Sequence, residues 1–390
     1  MTDRNQIILL ELIKASLFDA TQTIPVDIDW DAVFKEANGQ AVTGIVAASI
    51  SQNAAGKWKL AESRCKMGFM RVMHGQTQLL QVLRQAGIPV VILKGTAAAM
   101  YYPAPFRRMM GDVDFLVPRD KFDDTAQLME ANGYKPFKEL QDQLNDPIRP
   151  RHIEFRKDGI EYELHHHFSV RGIDIENILV EGLEHSETAQ IGGVSFPVLP
   201  PLENGLLLLT HAAFHLKASE LGLRQVIDWM MFVNSVLDDS TWGNSFSKLA
   251  EDAGLKKLAV ALTRLCRDYL GLPGDHNWCN EADERLVKNL LELIFERGNF
   301  GRKLEEPHTV EAYIETIKTK GSISFLKLIS KVVWNSSAVQ NSHVVLRPFM
   351  WISEFVRRTG KRLRERPGRL LEDVSRGKEI SQLYRDLGLR

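Results

Sequence analysis

Two aspartates, Asp112 and Asp114, stand one residue apart in the run Gly111-Asp112-Val113-Asp114-Phe115-Leu116-Val117. In a β-strand alternate side chains share a face, so both carboxylates point one way while Val113 points into the core. Like charges this close raise each other's pKa unless a cation lies between them. Hard oxygen donors at this spacing suit Mg²⁺, which takes one or two carboxylates and completes its shell with water and substrate phosphates. A strand end running into an Asp-rich turn is the plainer reading, and the local sequence leaves both open.

Two other stretches carry compatible chemistry. Leu93-Lys94-Gly95-Thr96 leads from an apolar run into Ala97-Ala98-Ala99-Met100-Tyr101-Tyr102. Such a strand, glycine, hydroxyl and helix order offers backbone N–H groups to phosphate oxygens. In Ile160-Glu161-Tyr162-Glu163-Leu164-His165, residues Glu161, Glu163 and His165 share one face of a strand. His165-His166-His167 alternates across that strand, so the three cannot enter one site, and His165 is the one placed to touch substrate phosphate. His211 and His215 are i,i+4, a metal-binding spacing. The glutamate of the zinc-protease HExxH motif is missing from the intervening Ala212-Ala213-Phe214, so a packing or substrate-lining pair is preferred. Arg224 and Asp228 are also i,i+4 and can pair across one turn.

The elements that must position these groups follow from periodicity. Residues 4–85 read as helical, with Met67, Met70, Met73, Leu79, Leu80 and Leu83 as core filling, and 21–30 as a connection. After Gly87-Ile88-Pro89, the run Val90-Val91-Ile92-Leu93 reads as a strand buried on both faces. Pro103 and Pro105 close the helix that follows, and 112–117 is the acidic strand. Asp120 is expected to cap a helix ending at Gly133. Asp158-Gly159 between His152–Lys157 and Ile160–His165 is hairpin chemistry. Val194–Leu199 reads as the last strand, and Pro201 opens a helical region with candidates at 223–237, 246–270, 282–297, 309–318 and 322–334.

At 390 residues more than one domain is expected: a helical segment 1–86, a core 87–200, a helical domain 201–345 over the cleft, and a basic amphipathic segment 346–390. A net charge of -1 gives no global pull toward nucleic acid. Arg357, Arg358, Lys361, Arg362, Arg364, Arg366 and Arg369 make 346–390 locally basic; it reads first as a solvated closing helix and second as a contact for an anionic membrane or nucleic acid. Cys65, Cys266 and Cys279 form no disulfide or zinc framework, and no signal peptide or membrane span is expected, so the reading is cytoplasmic.

Together, Leu93-Lys94-Gly95-Thr96, Arg108-Met109-Met110-Gly111-Asp112-Val113-Asp114-Phe115-Leu116-Val117 and Tyr162-Glu163-Leu164-His165 resemble the nucleotidyltransferase superfamily that includes DNA polymerase β. The chain is more closely similar to a bacterial family of uncharacterised nucleotidyltransferases, which also carries a histidine-rich helix like that of His211 and His215 and an Arg…Asp helix like 223–228. The likeness covers roughly 88–235. It implies an α+β fold with a polymerase β-like mixed-sheet core between an N-terminal helical segment and a larger C-terminal helical region.

It implies Mg²⁺, with Mn²⁺ as an alternative, held by Asp112, Asp114 and Glu163, and transfer of NMP from an NTP to a hydroxyl with loss of pyrophosphate. Gly95 and Thr96 would line the β- and γ-phosphates. Lys94 and Arg108 would neutralise phosphate charge, with His165 and Arg224 as further nucleotide contacts. Glu163 is preferred over Glu161 because it precedes Leu164-His165. Thr96 for Ser or Gly, and Glu163 for Asp, depart from the superfamily pattern. The acceptor, whether small molecule, sugar, peptide or RNA end, is not written in the sequence. A contrasting expectation is an inactive binding module of the same fold in a surface-polysaccharide or peptide-modifying pathway.

Overall fold

The computed structural model describes residues 3–18, 27–50, 55–145, 152–170, 173–302, 351 and 369–389. They fall in two compact units, Met1–Lys303 with Leu387–Arg390, and Leu304–Asp386. In the second unit the helix Arg369–Asp386 is described. The helix candidates 309–318 and 322–334 and the basic positions from Arg357 to Arg366 lie outside the described residues.

The first unit begins with helices α1 (Arg4–Phe18), α2 (Trp30–Gly39), α3 (Thr43–Val46) and the 31-residue α4 (Ala55–Gln85). Asp29 caps α2, accepting from the Asp31 and Ala32 amides. The C-terminal half of α4 adds Val72, Met73, Leu79, Leu80 and Leu83 to the sheet's core. Gly75 permits that approach, since a Cβ there would meet the Tyr162 hydroxyl oxygen at 2.4 Å. Met67 and Met70, expected in the core, are 62% and 61% exposed. In that part of α4 the buried face is Trp58, which packs on Phe34 of α2, and Cys65, which packs on Gly44 of α3; the two methionines project from the other side.

Then come β1 (Val91–Leu93), α5 (Gly95–Ala99), β2 (Asp112–Leu116), α6 (Phe122–Ala131), β3 (Lys135–Pro136), α7 (Leu140–Leu144), β4 (His152–Lys157) and β5 (Ile160–His165). The short pair β6 (Ser169–Val170) and β7 (Ile173–Asp174), α8 (Glu176–Glu184), β8 (Glu187–Ile191) and β9 (Val194–Val198) complete the α+β core. Seven strands form one mixed sheet in the order β3-β4-β5-β2-β1-β9-β8. β1 is buried on both faces as expected of its β-branched run. The expected hairpin is present from end to end, and Asp158 (φ 52°) with Gly159 (φ 72°) supplies the left-handed pair of a type I′ turn. Asp120 does not cap α6: it sits in a 3₁₀ turn, Arg119–Lys121, and Lys121 holds the cap position.

Helices α9 (Pro201–Lys217), α10 (Leu223–Val236), α11 (Asp239–Thr241), α12 (Ser247–Asp252), α13 (Lys256–Leu270) and α14 (Glu284–Arg297) follow. Pro201 occupies the first turn of α9, where its missing N–H costs nothing. The continuous helix expected over 246–270 breaks at Gly254, whose φ of 70° no helix interior accepts. The three cysteines are free and buried. Among the described residues no helix is long and apolar enough to cross a membrane.

Candidate active site

The register of β2 decides which side chains meet. Asp114 lies opposite Leu93 on antiparallel β1 and opposite Glu163 on parallel β5, while Asp112 lies opposite Glu161. Val113 and Phe115 enter the core cluster, so both aspartates occupy the other face. Lys94 follows Leu93 directly, and its backbone turns out of the strand with φ 45°. A non-glycine residue in that region costs roughly 1 kcal/mol or more and persists only where its surroundings hold it. Here the side chain is held: Lys94 Nζ is 2.5 Å from Asp114 Oδ1 and 3.7 Å from Glu163 Oε2.

His165 closes the group, with Nε2 at 3.2 Å from both Asp114 Oδ1 and Glu163 Oε2. Donor atoms of Asp114, Glu163 and His165 all lie within 4.8 Å of one another, a set that can hold a divalent ion. Glu161 takes no part, since it pairs with Arg156 at the surface, 2.6 Å away. His166 packs edge-on against Phe122 and His167 lies 3.0 Å from Glu176, so neither joins His165, at which β5 ends. Two residues not foreseen in the sequence extend the group: His152 and Glu154, on the same face of β4, form a second candidate ligand set with Glu163.

The charges respond to this crowding. Burial and then the neighbouring Asp114 push the Asp112 carboxyl up. For Glu163 burial also pushes upward, but the His165 hydrogen bond and the Lys94 charge outweigh it and hold the carboxyl at about 2. Burial lowers Lys94 and His165, yet Asp114 and Glu163 leave both raised, so both favour their charged forms. Glu163 is depressed below its ordinary 4.5, so its stabilisation is present above that pH and is lost as pH falls toward 2. In metal-free protein, Glu163→Gln is expected to cost on the order of 3 kcal/mol near pH 6. That gap to wild type should narrow below pH 4.5 in denaturant titrations; a gap independent of pH would exclude the contact network.

Arg108 and Arg224 behave differently. Arg108 donates from Nε and Nη2 to the two oxygens of Asp228, at 2.6 and 2.7 Å, and both side chains are buried. Tyr102 donates to the same carboxylate at 2.7 Å. Asp228 therefore pairs with Arg108 across the fold, not with Arg224 one turn away. Arg224 gives Nη1 to the Met109 carbonyl at 3.3 Å and lies 5.0 Å over the Phe300 ring, while its buried Nε has no partner among the described residues. Burial chiefly, and then Arg108, push its pKa down, and Asp228 followed by Asp112 pulls the other way. Arg224 is thus a guanidinium with donors to spare, within the electrostatic reach of Asp112.

In α5 the Thr96 hydroxyl donates to Gln76 Oε1 at 2.6 Å and is buried, which leaves the first-turn amides as the groups that can meet an anion. A Cβ on Gly95 would meet only the Asp112 carbonyl at 3.8 Å, so the fold itself does not require glycine there. Phe168 lies 5.4 Å from Lys94 Nζ and 5.9 Å from the His165 ring, and 6.5 Å from His211. Phe300, 44% exposed and held at φ 57°, meets the other histidine, His215, at 5.2 Å. No sequence signal distinguishes these two rings from core aromatics.

A model of a family described as "Uncharacterised nucleotidyltransferase" matches residues 26–271, more than half of the chain. No curated protein matches it.

Proposed function

Since the chain belongs to the family of uncharacterised nucleotidyltransferases, we propose that it moves NMP from an NTP to a hydroxyl of an acceptor, with pyrophosphate leaving. One observation carries the reading. Asp114, Glu163 and His165 converge with Lys94 at the end of β1, where α5 begins with a glycine that the protein's own packing does not need.

The donor set fits divalent ions. Asp114 and Glu163, with Asp112 on the same face of β2, supply hard oxygens that suit Mg²⁺ or Mn²⁺. Bound there, such ions would neutralise the triphosphate and acidify the acceptor hydroxyl. The chain's own residues do the rest. Lys94 balances the acid cluster and offers its ammonium to a phosphate once the carboxylates find other partners. Arg224 directs its unused donors to the phosphate tail. The Gly95 and Thr96 amides meet phosphate oxygens, whereas Arg108 fixes the loop before β2 through Asp228. His165 holds Asp114 and Glu163 in register.

The test is transfer of label. NTPs labelled at the α-phosphate, with Mg²⁺ or Mn²⁺ and a cell extract, are expected to label a product, while γ-label leaves with pyrophosphate and EDTA stops the reaction. No EDTA-sensitive labelling under either metal would overturn the reading. Gly95→Ala separates binding from folding. Its melting temperature is expected to stay within a degree or two of wild type, while NTP affinity falls about tenfold or more because the methyl occupies the phosphate approach. Calorimetry with a non-hydrolysable NTP measures this, and unchanged affinity would remove Gly95 from the site.

A further inference from the structure

Glu220, His215 and His211 stand in line, and the line ends beside Phe168. The Nε2 atoms of His211 and His215 are 2.8 Å apart, so one ring donates and the other accepts. Glu220 Oε2 stands 3.4 Å from His215 Nδ1, a buried atom that makes no hydrogen bond among the described residues. The carboxylate's negative charge repels a lone pair on the facing nitrogen and so favours the His215 proton on Nδ1. His215 Nε2 is then the lone-pair nitrogen and takes the hydrogen bond from His211 Nε2–H. That leaves His211 Nδ1 without a proton, and among the described residues it has no partner.

The surroundings keep both rings neutral. Burial comes first, and Lys94 and Arg224 oppose a further proton on either ring, as does Arg108 on His211; Glu220 pulls the other way. A neutral imidazole with a free lone pair beside the Lys94 and His165 cluster is an acceptor for a donor brought by substrate.

We propose that His211 Nδ1 accepts a hydrogen bond from a substrate hydroxyl, and that His215 and Glu220 are positioning residues that fix its tautomer. The inference rests on the nucleotidyltransferase reading for the presence of a hydroxyl-bearing substrate, but its first test does not need turnover. In full-length protein with ¹⁵N-labelled histidine, NMR is expected to find His211 Nδ1 unprotonated and His215 Nδ1 protonated. Glu220→Lys, whose ammonium can only donate, should populate the opposite tautomer of both rings. A protonated His211 Nδ1 in wild type, or tautomers indifferent to Glu220→Lys, would overturn the proposal whatever the enzyme's activity.

The second test reads the hydroxyl. His211→Ala should lose about tenfold in kcat/KM for label transfer, the scale of one lost hydrogen bond. His211→Asn, whose Oδ1 replaces Nδ1, should recover most of it. Both variants at wild-type rate would refute the role. NTP and its 2′- and 3′-deoxy analogues then assign the source. A ribose hydroxyl makes one deoxy analogue bind wild type about tenfold more weakly, with no such discrimination left in His211→Ala. Equal binding of all three nucleotides to both proteins places the contact on the acceptor.

Discussion

Replacing Asp114 by Asn is expected to lower nucleotidyl transfer by roughly a thousandfold, equivalent to about 4 kcal/mol of barrier. The substitution keeps the shape of the side chain and removes one charge. That charge is the centre of the site: Lys94 at 2.5 Å and His165 at 3.2 Å both contact Asp114 Oδ1, and Glu163 stands opposite on β5. An amide cannot serve as an anionic ligand, and it leaves chiefly Glu163, with Asp112 behind it, to balance two cations. Mn²⁺ affinity should fall in parallel, while the fold survives because the amide oxygen still accepts one bond. Transfer of α-label in single-turnover assays, with paramagnetic titration of Mn²⁺, checks both statements. A variant within tenfold of wild type would remove Asp114 from the chemistry.

The second large effect is on stability. Asp228→Ala is expected to cost about 3–5 kcal/mol, because it strands a buried guanidinium that has lost both of its hydrogen bonds to the carboxylate. Tyr102 loses its acceptor as well. At about 2–4 °C per kcal/mol for domains of 150–250 residues, the melting temperature should fall by roughly 10 °C. Removing both charges tests the cause. Arg108→Met with Asp228→Leu should recover most of the loss, since a buried pair replaced by apolar groups of similar volume is often neutral. A double variant no better than Asp228→Ala would assign the loss to packing on α10 rather than to the unpaired charge.

Local signals made much of this fold legible from the residues. The β-branched run of β1, the type I′ dipeptide before β5 and Pro201 at the start of α9 each act within a few residues, and the structure follows them. The shared face of Asp112 and Asp114 is of the same kind, because strand alternation alone sets it. What escaped depends on long-range partners. Asp228 meets Arg108 across 120 residues, where sequence spacing offered Asp228 a partner in Arg224 one turn away. The exposure of Met67 and Met70 escaped because periodicity names a face without saying which neighbour covers it. Glu161 and Glu163 were equivalent by alternation, and Arg156 on the neighbouring strand draws Glu161 away. Phe168 and Phe300 carry no pattern, since an aromatic beside a site and one in a core look alike in sequence.

The Asp158-Gly159 turn bears on how the acids come together in time. A hairpin closes in roughly 1–10 μs, and this one delivers Glu163 and His165 on a finished edge with their faces already chosen. Its parallel pairing with β2 spans dozens of residues and must come later, because the entropy of closing that long loop is lost before any contact repays it. The two carboxylates thus meet after the hairpin has closed, when it docks on β2 as a prefolded piece. One residue inserted in the turn would deliver the hairpin out of phase, with Tyr162 facing the cleft and Glu163 facing the core. Such a chain would stall before β2 and β5 join, so the turn acts as a checkpoint on assembly as well as a bend.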